Sequence, residues 1–386
     1  MKKIHLAHLL YFIGPAGKEQ GVLKIVSGMD RSRFEVDIIV LQGVRYRELL
    51  PVEQFNIIEL QGTPANSWET ARRLAEVLKR NRYDIVYTHS WNTLLEGYLA
   101  ARLAKIPALI HGEHGTFERS FMKDRVQKYL WQRFDAVTVV AGDLEKKLRD
   151  SFGYRKDNIS VLYNGIDPVR FYPSPEFREK YRRQYGLEGS FVVGTLGRFH
   201  PVKDHFTLIK AFRRFRETIP AAKLVLVGGG GSAGEEMKRR YQELIAQLSL
   251  QEQVRFIPPV SDPETLLNMF DVFVLSSVSE GCSNVILEAQ ACGVPVLATA
   301  TGGNPELVNH QETGLLFPVG DEQTLAGELH RLYADEDLRR RFSRQALERV
   351  REKFSLRSTV SGYEQLYRNL YHSKMNGKVK IVGNRQ

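Results

Sequence analysis

Two glutamates flank a polar loop and the start of a predicted helix in the second half of the chain. Glu280 follows the apolar segment 272–275, which predicts a buried strand, and Glu288 lies about one turn into the helix after the loop. A carboxylate accepts hydrogen bonds from hydroxyl groups. The spacing therefore places one such acceptor on each side of the helix N-terminus.

The helix has recognisable ends. Ser283 or Asn284 can cap its N-terminus, and Gly293 suits its C′ position. The N–H groups of a first helical turn, together with the positive end of the helix dipole, bind phosphate. With an acid on either side, this stretch suits a nucleotide-sugar, whose diphosphate lies between the hydroxyl groups of a ribose and those of a sugar.

The spacing alone does not decide the matter, because glutamates on a solvated helix face are common. The flanking residues, SEG at 279–281 and EAQACGVPV at 288–296, resemble the E-x7-E signature of the retaining family-four glycosyltransferases. The resemblance implies that Glu280 contacts the transferred sugar and that Glu288 contacts the ribose. It also implies that the residues between them bind the donor: Gly281, Cys282, Ser283 and Asn284.

A second cluster lies in the strand-to-helix loop that begins at Gly197. Arg198 and Lys203 are one forked and one compact cation in this loop, and together they can bracket a diphosphate. Exposed Arg and Lys are usually solvated, but Gly-Arg-x-x-x-x-Lys resembles the second signature of the family. The resemblance implies that both cations stabilise the leaving diphosphate. It also implies that the loop after Ile257 holds the nucleobase, largely through backbone groups.

Two loops of the first half are also candidates. The loop 14–21 follows the first predicted strand and lacks the G-x-G-x-x-G spacing of dinucleotide-binding folds. The resemblance places Gly17 against the donor there, with a plain strand–helix turn as the alternative. The loop HGEHG ends another predicted strand, and the resemblance implies that His114 contacts the donor sugar, with His111 as the rival position. A zinc site is not favoured, because no third ligand is apparent.

Apolar segments alternate with helical patterns along the chain, as in a parallel sheet covered by helices on both faces. The pattern restarts at Phe191, and 386 residues are enough for two domains. The resemblance implies an α/β fold of GT-B type, with two Rossmann-like domains facing across a cleft. We expect an N-terminal, acceptor-side domain of residues 1–168 plus 358–386, and a C-terminal, nucleotide-sugar-binding domain of residues 169–357.

The chain carries a net charge of +10, and residues 1–170 hold 26 Lys and Arg against 20 Asp and Glu. An excess of this sign suits an anionic partner, but no nucleic-acid-binding motif accompanies it. The segment Phe117–Arg133 interleaves five basic residues with an apolar set of helical spacing. Two interpretations remain open: a helix that packs on its own sheet with a charged outer face, and an interfacial helix that contacts an anionic membrane surface.

The resemblance implies a retaining hexosyltransferase that moves a sugar from a UDP- or GDP-linked donor to a glycan or lipid-linked acceptor in cell-surface polysaccharide synthesis. No Asp-x-Asp pair is positioned as a metal site, and Arg198, Lys203 and the helix N-terminus supply positive charge instead. We therefore expect no metal and no other cofactor. The alternatives are a nucleotide-sugar epimerase of the same fold, with Glu113 and His114 as acid and base, and a non-catalytic sugar- or nucleic-acid-binding protein.

The N-terminal residues resemble a first buried strand more than a signal peptide. The sequence also contains no apolar run of about 18 residues, the length that a spanning helix needs. We therefore expect a cytoplasmic protein, peripheral at the inner face of the cell membrane if the interfacial interpretation of the segment Phe117–Arg133 holds.

Overall fold

The computed structural model describes residues 2–14, 17–44, 47, 52–60, 67–115 and 121–376. The chain divides into two compact units. The first unit comprises Met1–Asn164 together with Leu356–Gln386, and the second comprises Gly165–Ser355. The boundaries expected from the sequence, after residues 168 and 357, lie within a few residues of these bounds.

The first unit is built on a seven-stranded parallel sheet in the order β3-β2-β1-β4-β5-β6-β7. Its strands are β1 (Ile4–Leu10), β2 (Phe34–Val40), β3 (Asn56–Glu59), β4 (Ile85–His89), β5 (Ala108–Glu113), β6 (Ala136–Val139) and β7 (Ile159–Val161). Its helices are α1 (Gly17–Gly28), α2 (Trp68–Asn81), α3 (Trp91–Leu103), α4 (Phe121–Trp131), α5 (Gly142–Asp150) and the last helix of the chain, α14 (Leu356–Asn376).

Both faces of this sheet are buried, as the near-continuous apolar strand segments predict. Successive strand residues point to opposite faces. Leu6 and Tyr87 therefore pack in one apolar cluster with residues of α1 and α14, while Ala7 and Val86 pack in a second cluster with residues of α2 to α5. None of the helices that the structure describes is long and apolar enough to cross a bilayer.

The second unit is built on a six-stranded parallel sheet in the order β10-β9-β8-β11-β12-β13. Its strands are β8 (Val192–Leu196), β9 (Lys223–Val227), β10 (Val254–Ile257), β11 (Val272–Leu275), β12 (Val296–Thr299) and β13 (Gly314–Phe317). Its helices are α6 (Pro175–Tyr185), α7 (His205–Arg216), α8 (Gly231–Gln247), α9 (Pro263–Leu267), α10 (Asn284–Ala291), α11 (Asn304–Leu307), α12 (Glu322–Ala334) and α13 (Glu336–Lys353).

The strand order reverses once in each sheet. The reversal lies between β1 and β4 in the first unit and between β8 and β11 in the second. Crossovers on the two sides of such a point leave toward opposite faces, which opens a crevice at the carboxyl ends of the strands. The chemistry-bearing loops of the sequence follow strands at or beside these two points.

A polar cluster joins three strands near the amino ends of β1 and β4. Tyr83 donates a hydrogen bond from its hydroxyl to Asp37 Oδ2 (2.6 Å), Asn56 donates to Oδ1 (2.7 Å), and His5 Nε2 lies 3.4 Å from Oδ2. Burial raises the pKa of Asp37, but these three partners outweigh it and hold the pKa below its usual range. The contact with Asp37 in turn raises the pKa of His5, against the opposing effect of burial.

We expect the contribution of His5 to stability to decline with rising pH. The unfolded pKa of histidine is about 6.5, and the folded pKa lies above it. The contribution is therefore fully present below about pH 6.5 and is lost as the pH rises through the folded pKa. The difference in thermal midpoint between the wild type and His5→Gln should shrink between about pH 6 and about pH 9. A difference that is constant over this range would contradict a charged His5–Asp37 pair.

Candidate active site

Two loops meet at the strand-order reversal of the second unit. One follows β8 and leads to α7, and the other follows β11 and leads to α10. Val278 in the second loop donates its backbone N–H to the carbonyl of Val202 in the first (2.9 Å), and the Ser276 hydroxyl donates to the carbonyl of Lys203 (3.0 Å). These bonds hold the two predicted motifs side by side.

Lys203 and Glu280 form an ion pair between these loops. Lys203 Nζ lies 2.5 Å from Glu280 Oε1, which also accepts a hydrogen bond from the Ser277 hydroxyl (2.6 Å). The two charged side chains are 16% and 12% exposed, so water screens their attraction only weakly. Because an ammonium has three N–H donors, Lys203 can hold Glu280 and donate to a phosphate oxygen at the same time.

Arg198 is presented to solvent by the loop after β8. Its neighbours are anchored, since Gly197 donates its N–H to Val227 (3.0 Å) and Phe199, whose ring is buried, donates to Gly229 (2.7 Å). Arg198 itself is exposed, and the part of the chain that the structure describes supplies no hydrogen-bond or ion-pair partner for its guanidinium. The planar fork is therefore available to an anion.

Helix α10 begins directly after the Glu280 loop. Ser283 is its N-cap residue, one of the two that the sequence predicts, but its hydroxyl does not accept the capping hydrogen bond. The positive end of the helix dipole is directed at the loop, where it favours an anion. At the other end, Gly293 follows the C-cap residue with a φ of +71°, which confirms its predicted left-handed C′ role.

Glu288 lies in the second turn of α10 and is buried, with 8% of its surface exposed. Cys292 lies one turn further on, close to Glu288. Burial raises the pKa of its thiol, and the nearby carboxylates of Glu288 and Glu264 raise it further. Cys282 is half-buried in the loop beside Glu280. The two glutamates therefore lie on either side of the helix start, as the spacing predicts.

Two glycines outside the predicted site allow its loops to pack closely. Gly302 has a φ of +55°, and a Cβ atom there would lie 1.8 Å from the carbonyl oxygen of Glu280. A Cβ atom on Gly228 would lie 1.9 Å from the carbonyl oxygen of Gly197. A side chain at either position would displace the backbone of a site loop. The glycine-rich segments are visible in the sequence, but the partners that require them are set by the fold.

Ile257 ends β10 beside the same glycine-rich segment. Gly228 donates its N–H to the carbonyl of Ile257 (2.9 Å), and Pro259 lies against Gly229, where a Cβ atom would be 3.0 Å from Pro259 Cγ. The loop predicted to hold a nucleobase therefore leaves the sheet next to the loop after β9.

In the first unit, β5 continues through Glu113, so the predicted HGEHG loop is wrong for its first three residues. His111 is fully buried within the strand, with Nδ1 2.8 Å from the Thr88 hydroxyl. His114 follows the end of the strand, is half-exposed, and has Nε2 2.9 Å from Nδ1 of His89. The rival position His111 is thus a core residue, and His114 is the histidine at the carboxyl edge.

Glu113 and His114 contact groups on opposite faces of the first sheet. The Glu113 carboxylate is buried and accepts a hydrogen bond from Gln127 of α4 (2.8 Å), on the face of the sheet that also buries His111. His114 contacts His89, which lies on the opposite face. This arrangement disfavours the epimerase alternative, which needs both groups at one sugar carbon.

Gly17 is the first residue of α1, after the carboxyl end of β1. Residues 15 and 16 of the predicted loop lie outside the described residues. Within the described ranges, no group of three or more His, Cys, Asp or Glu is arranged to hold a metal ion.

Comparison with known proteins gives matches over both units. The model of Glycosyltransferase Family 4 matches residues 15–170, and the model of Glycosyl transferases group 1 matches residues 177–349. The N-acetyl-alpha-D-glucosaminyl L-malate synthase of Bacillus anthracis is 30% identical over 341 residues, which cover 86% of this chain and 86% of that protein.

Two further proteins are similar over most of the chain. The UDP-Gal:alpha-D-GlcNAc-diphosphoundecaprenol alpha-1,3-galactosyltransferase of Escherichia coli is 29% identical over 312 residues, or 78% of this chain and 79% of that protein. The crystal structure of Anabaena Alr3699/HepE in complex with UDP has a TM-score of 0.86 at 24% identity, and covers 95% of this chain and 100% of that one.

The structural likeness confirms the predicted fold, two Rossmann-like units of GT-B type. The Escherichia coli relative, matched over 79% of its own length, is a glycosyltransferase by name. Because the two models and a 30% identical relative together span both units of the chain, the protein belongs to the family-four glycosyltransferases and is an enzyme of that class.

Proposed function

We propose that this enzyme transfers a sugar, with retention, from a UDP-linked donor to a hydroxyl group of a glycan or lipid-linked acceptor in cell-surface polysaccharide synthesis. The observation that carries the proposal is the Lys203–Glu280 pair, which holds a cation for the diphosphate 2.5 Å from an acid for a sugar hydroxyl. The name of the Escherichia coli relative and the ligand of the Anabaena structure favour UDP over GDP.

Each donor-binding residue has one proposed role. Arg198, Lys203 and the α10 N-terminus bind the diphosphate, Glu280 binds the sugar and Glu288 the ribose. His114 contacts the sugar from the first unit. The residues proposed to line the donor site are Gly17, His114, Gly197, Arg198, Lys203, Ile257, Glu280, Gly281, Cys282, Ser283, Asn284 and Glu288.

The proposed reaction develops negative charge on the diphosphate leaving group. As the bond between the anomeric carbon and the diphosphate breaks, its electron pair passes to the diphosphate, and Arg198, Lys203 and the helix N-terminus stabilise the added negative charge. This supply of positive charge is the reason we propose a metal-independent reaction. The acceptor oxygen attacks from the face that the diphosphate leaves, which retains the configuration, and the acceptor proton passes to the departing diphosphate.

The outer face of α4 favours a lipid-linked acceptor. Met122 and Tyr129 are 67% and 55% exposed, and the exposed cations Lys123 and Arg125 lie among them, while Leu130 is buried toward the sheet. A helix with a purely charged outer face would not expose large apolar side chains. Residues 117–120 of the predicted segment lie outside the described residues.

We propose on this basis that the enzyme is peripheral at the cytoplasmic face of a membrane that carries its acceptor. The names of two relatives mention different acceptors, L-malate and a diphosphoundecaprenol-linked sugar. An interfacial helix is useful only for the second kind, because a small acid diffuses in water.

The donor proposal is tested by calorimetry with UDP and GDP, followed by transfer assays with UDP-sugars. We expect tighter binding of UDP than of GDP and transfer activity that survives EDTA. Loss of activity in EDTA with recovery on adding magnesium or manganese would contradict the charge argument. Preference for GDP would overturn the choice of nucleotide and leave the roles of the cations intact.

Lys203→Ala should lower kcat/KM at least about a hundredfold, because it removes a stabilising charge whose importance grows as the diphosphate leaves. Steady-state kinetics measure the effect. Lys210→Ala is the matched control, since Lys210 is an exposed lysine of α7 in the same unit. Near-full activity of Lys203→Ala would mean that Lys203 only pairs with Glu280.

The two glutamates should separate binding from transfer. Glu288→Gln should weaken UDP binding, because its proposed partner is the ribose. Glu280→Gln should leave UDP affinity unchanged or raise it, since the ion pair that occupies Lys203 is lost, while transfer falls. Calorimetry with UDP measures the first effect and kcat the second, with the exposed Glu243→Gln of α8 as the control. Equal losses of UDP affinity in both variants would refute these assignments.

The membrane proposal predicts binding to vesicles of phosphatidylcholine and phosphatidylglycerol. Each basic residue near an anionic surface contributes about 1 kcal/mol, and screening to about 3 Å at 1 M salt removes the attraction. Sedimentation should therefore show binding at low salt, release at high salt, and loss when Lys123, Arg125 and Lys128 are changed to Glu.

The matched control reverses three exposed arginines of α13 in the second unit, Arg341, Arg344 and Arg351. This control alters the net charge equally and should retain vesicle binding. Absence of vesicle binding at low salt, together with full activity on a water-soluble acceptor, would count decisively against the proposal.

A further inference from the structure

Three histidines from different parts of the first unit form one hydrogen-bonded row. His8 lies in β1, His89 ends β4, and His114 follows β5. His8 Nδ1 lies 3.0 Å from His89 Nε2, and His89 Nδ1 lies 2.9 Å from His114 Nε2. At the inner end of the row, the hydroxyl of Tyr367 in α14 lies 3.4 Å from His8 Nε2.

The sheet holds this row in place. His8 and His89 are 1% and 2% exposed. The ring of Tyr87 stacks on His89 with ring centroids 4.2 Å apart, and a Cβ atom on Gly112 would lie 3.2 Å from His114 Nε2. This packing restricts flips of the imidazole rings. The fold therefore sets which ring nitrogens face each other.

His8, the innermost ring of the row, is uncharged at neutral pH. Burial, followed by the nearby His114, lowers the pKa of His8 to about 3. A neutral imidazole carries one N–H and one bare nitrogen. Every contact between two such rings needs one donor and one acceptor. The nitrogen that carries the hydrogen on one ring therefore dictates which nitrogen carries it on the next.

Tyr367 sets the direction of this row. Its hydroxyl is fully buried, and burial raises its pKa well above the usual value, so it keeps its proton. A buried phenol O–H requires an acceptor, and among the described residues that acceptor is His8 Nε2. His8 then donates from Nδ1 to His89, and His89 donates from Nδ1 to His114 Nε2. His114 consequently carries its hydrogen on Nδ1.

We propose that Tyr367, His8 and His89 are positioning residues that hold His114 in the Nδ1–H tautomer, so that it acts as a hydrogen-bond donor toward the donor sugar. The part concerning the sugar rests on the proposed function, whereas the tautomer of His114 does not. A row pointing the other way would place the hydrogen on Nε2 and present a bare Nδ1 acceptor instead. One hydroxyl in α14 thus decides the chemical character of a site residue.

The test uses the full chain labelled with 15N in histidine, because the two ring nitrogens of a neutral imidazole have distinct signals when protonated and when bare. We expect His114 to show Nδ1–H and a bare Nε2, and Tyr367→Phe to convert this pattern to a mixture of tautomers. Transfer should fall about tenfold, as for loss of a residue that orients another, with UDP affinity unchanged. Tyr371→Phe, one turn further along α14, is the matched control and should change neither the signals nor the rate.

A second pair of variants covers the case in which Tyr367→Phe does not fold. His89→Gln supplies an amide oxygen and an amide N–H and should preserve the direction of the row, whereas His89→Leu should break it. An Nε2–H tautomer in the wild type, or an unchanged His114 pattern in a folded Tyr367→Phe or His89→Leu variant, would overturn the proposal. Full transfer activity of His114→Ala with the expected tautomer would instead refute the sugar contact alone.

Discussion

The reversal of strand order in each sheet is the constraint on which the candidate site depends. Connections between parallel strands are right-handed, so the chain leaves the neighbouring strands β8 and β11 toward opposite faces, and the loops after them begin side by side at the carboxyl edge. Lys203 and Glu280 lie in these two loops and meet although 77 positions separate them in sequence. An order in which β8 and β11 were not neighbours would place the cation and the acid apart.

The position of the Lys203–Glu280 ion pair is fixed by its hydrogen bonds and by the close packing of the backbone around it. Removing two charges from water is costly unless they are well paired, and Ser277 supplies Glu280 with a further hydrogen bond. Gly302 and Gly228 bring neighbouring backbone within distances that no side chain would permit. Lys203 is therefore held in place before any ligand binds, and this preorganisation is what its proposed role toward a leaving group requires.

In the first unit, polar side chains lie in an apolar face of the sheet and are paired with one another. His8 and His89 lie among the apolar residues that α1 and α14 cover, where an unpaired polar group is expensive. The row from Tyr367 to His114 pairs them all. At the opposite edge, Asp37 is paired with Tyr83, Asn56 and His5 for the same reason, but far from the carboxyl ends where ligands bind in such folds.

The sequence by itself determined the alternation of strands and helices, the helix that follows the Glu280 loop and contains Glu288, and its left-handed stop at Gly293, because these follow from local periodicity and backbone preference. It did not reveal that β5 runs on to Glu113, since glycine and histidine do not mark a strand. Only the tertiary structure decided which groups meet: Lys203 with Glu280, Gly302 with the Glu280 backbone, and His8 with His89 across 81 positions. The physical reason is that strand order is a property of the whole sheet and leaves no local signal in the chain.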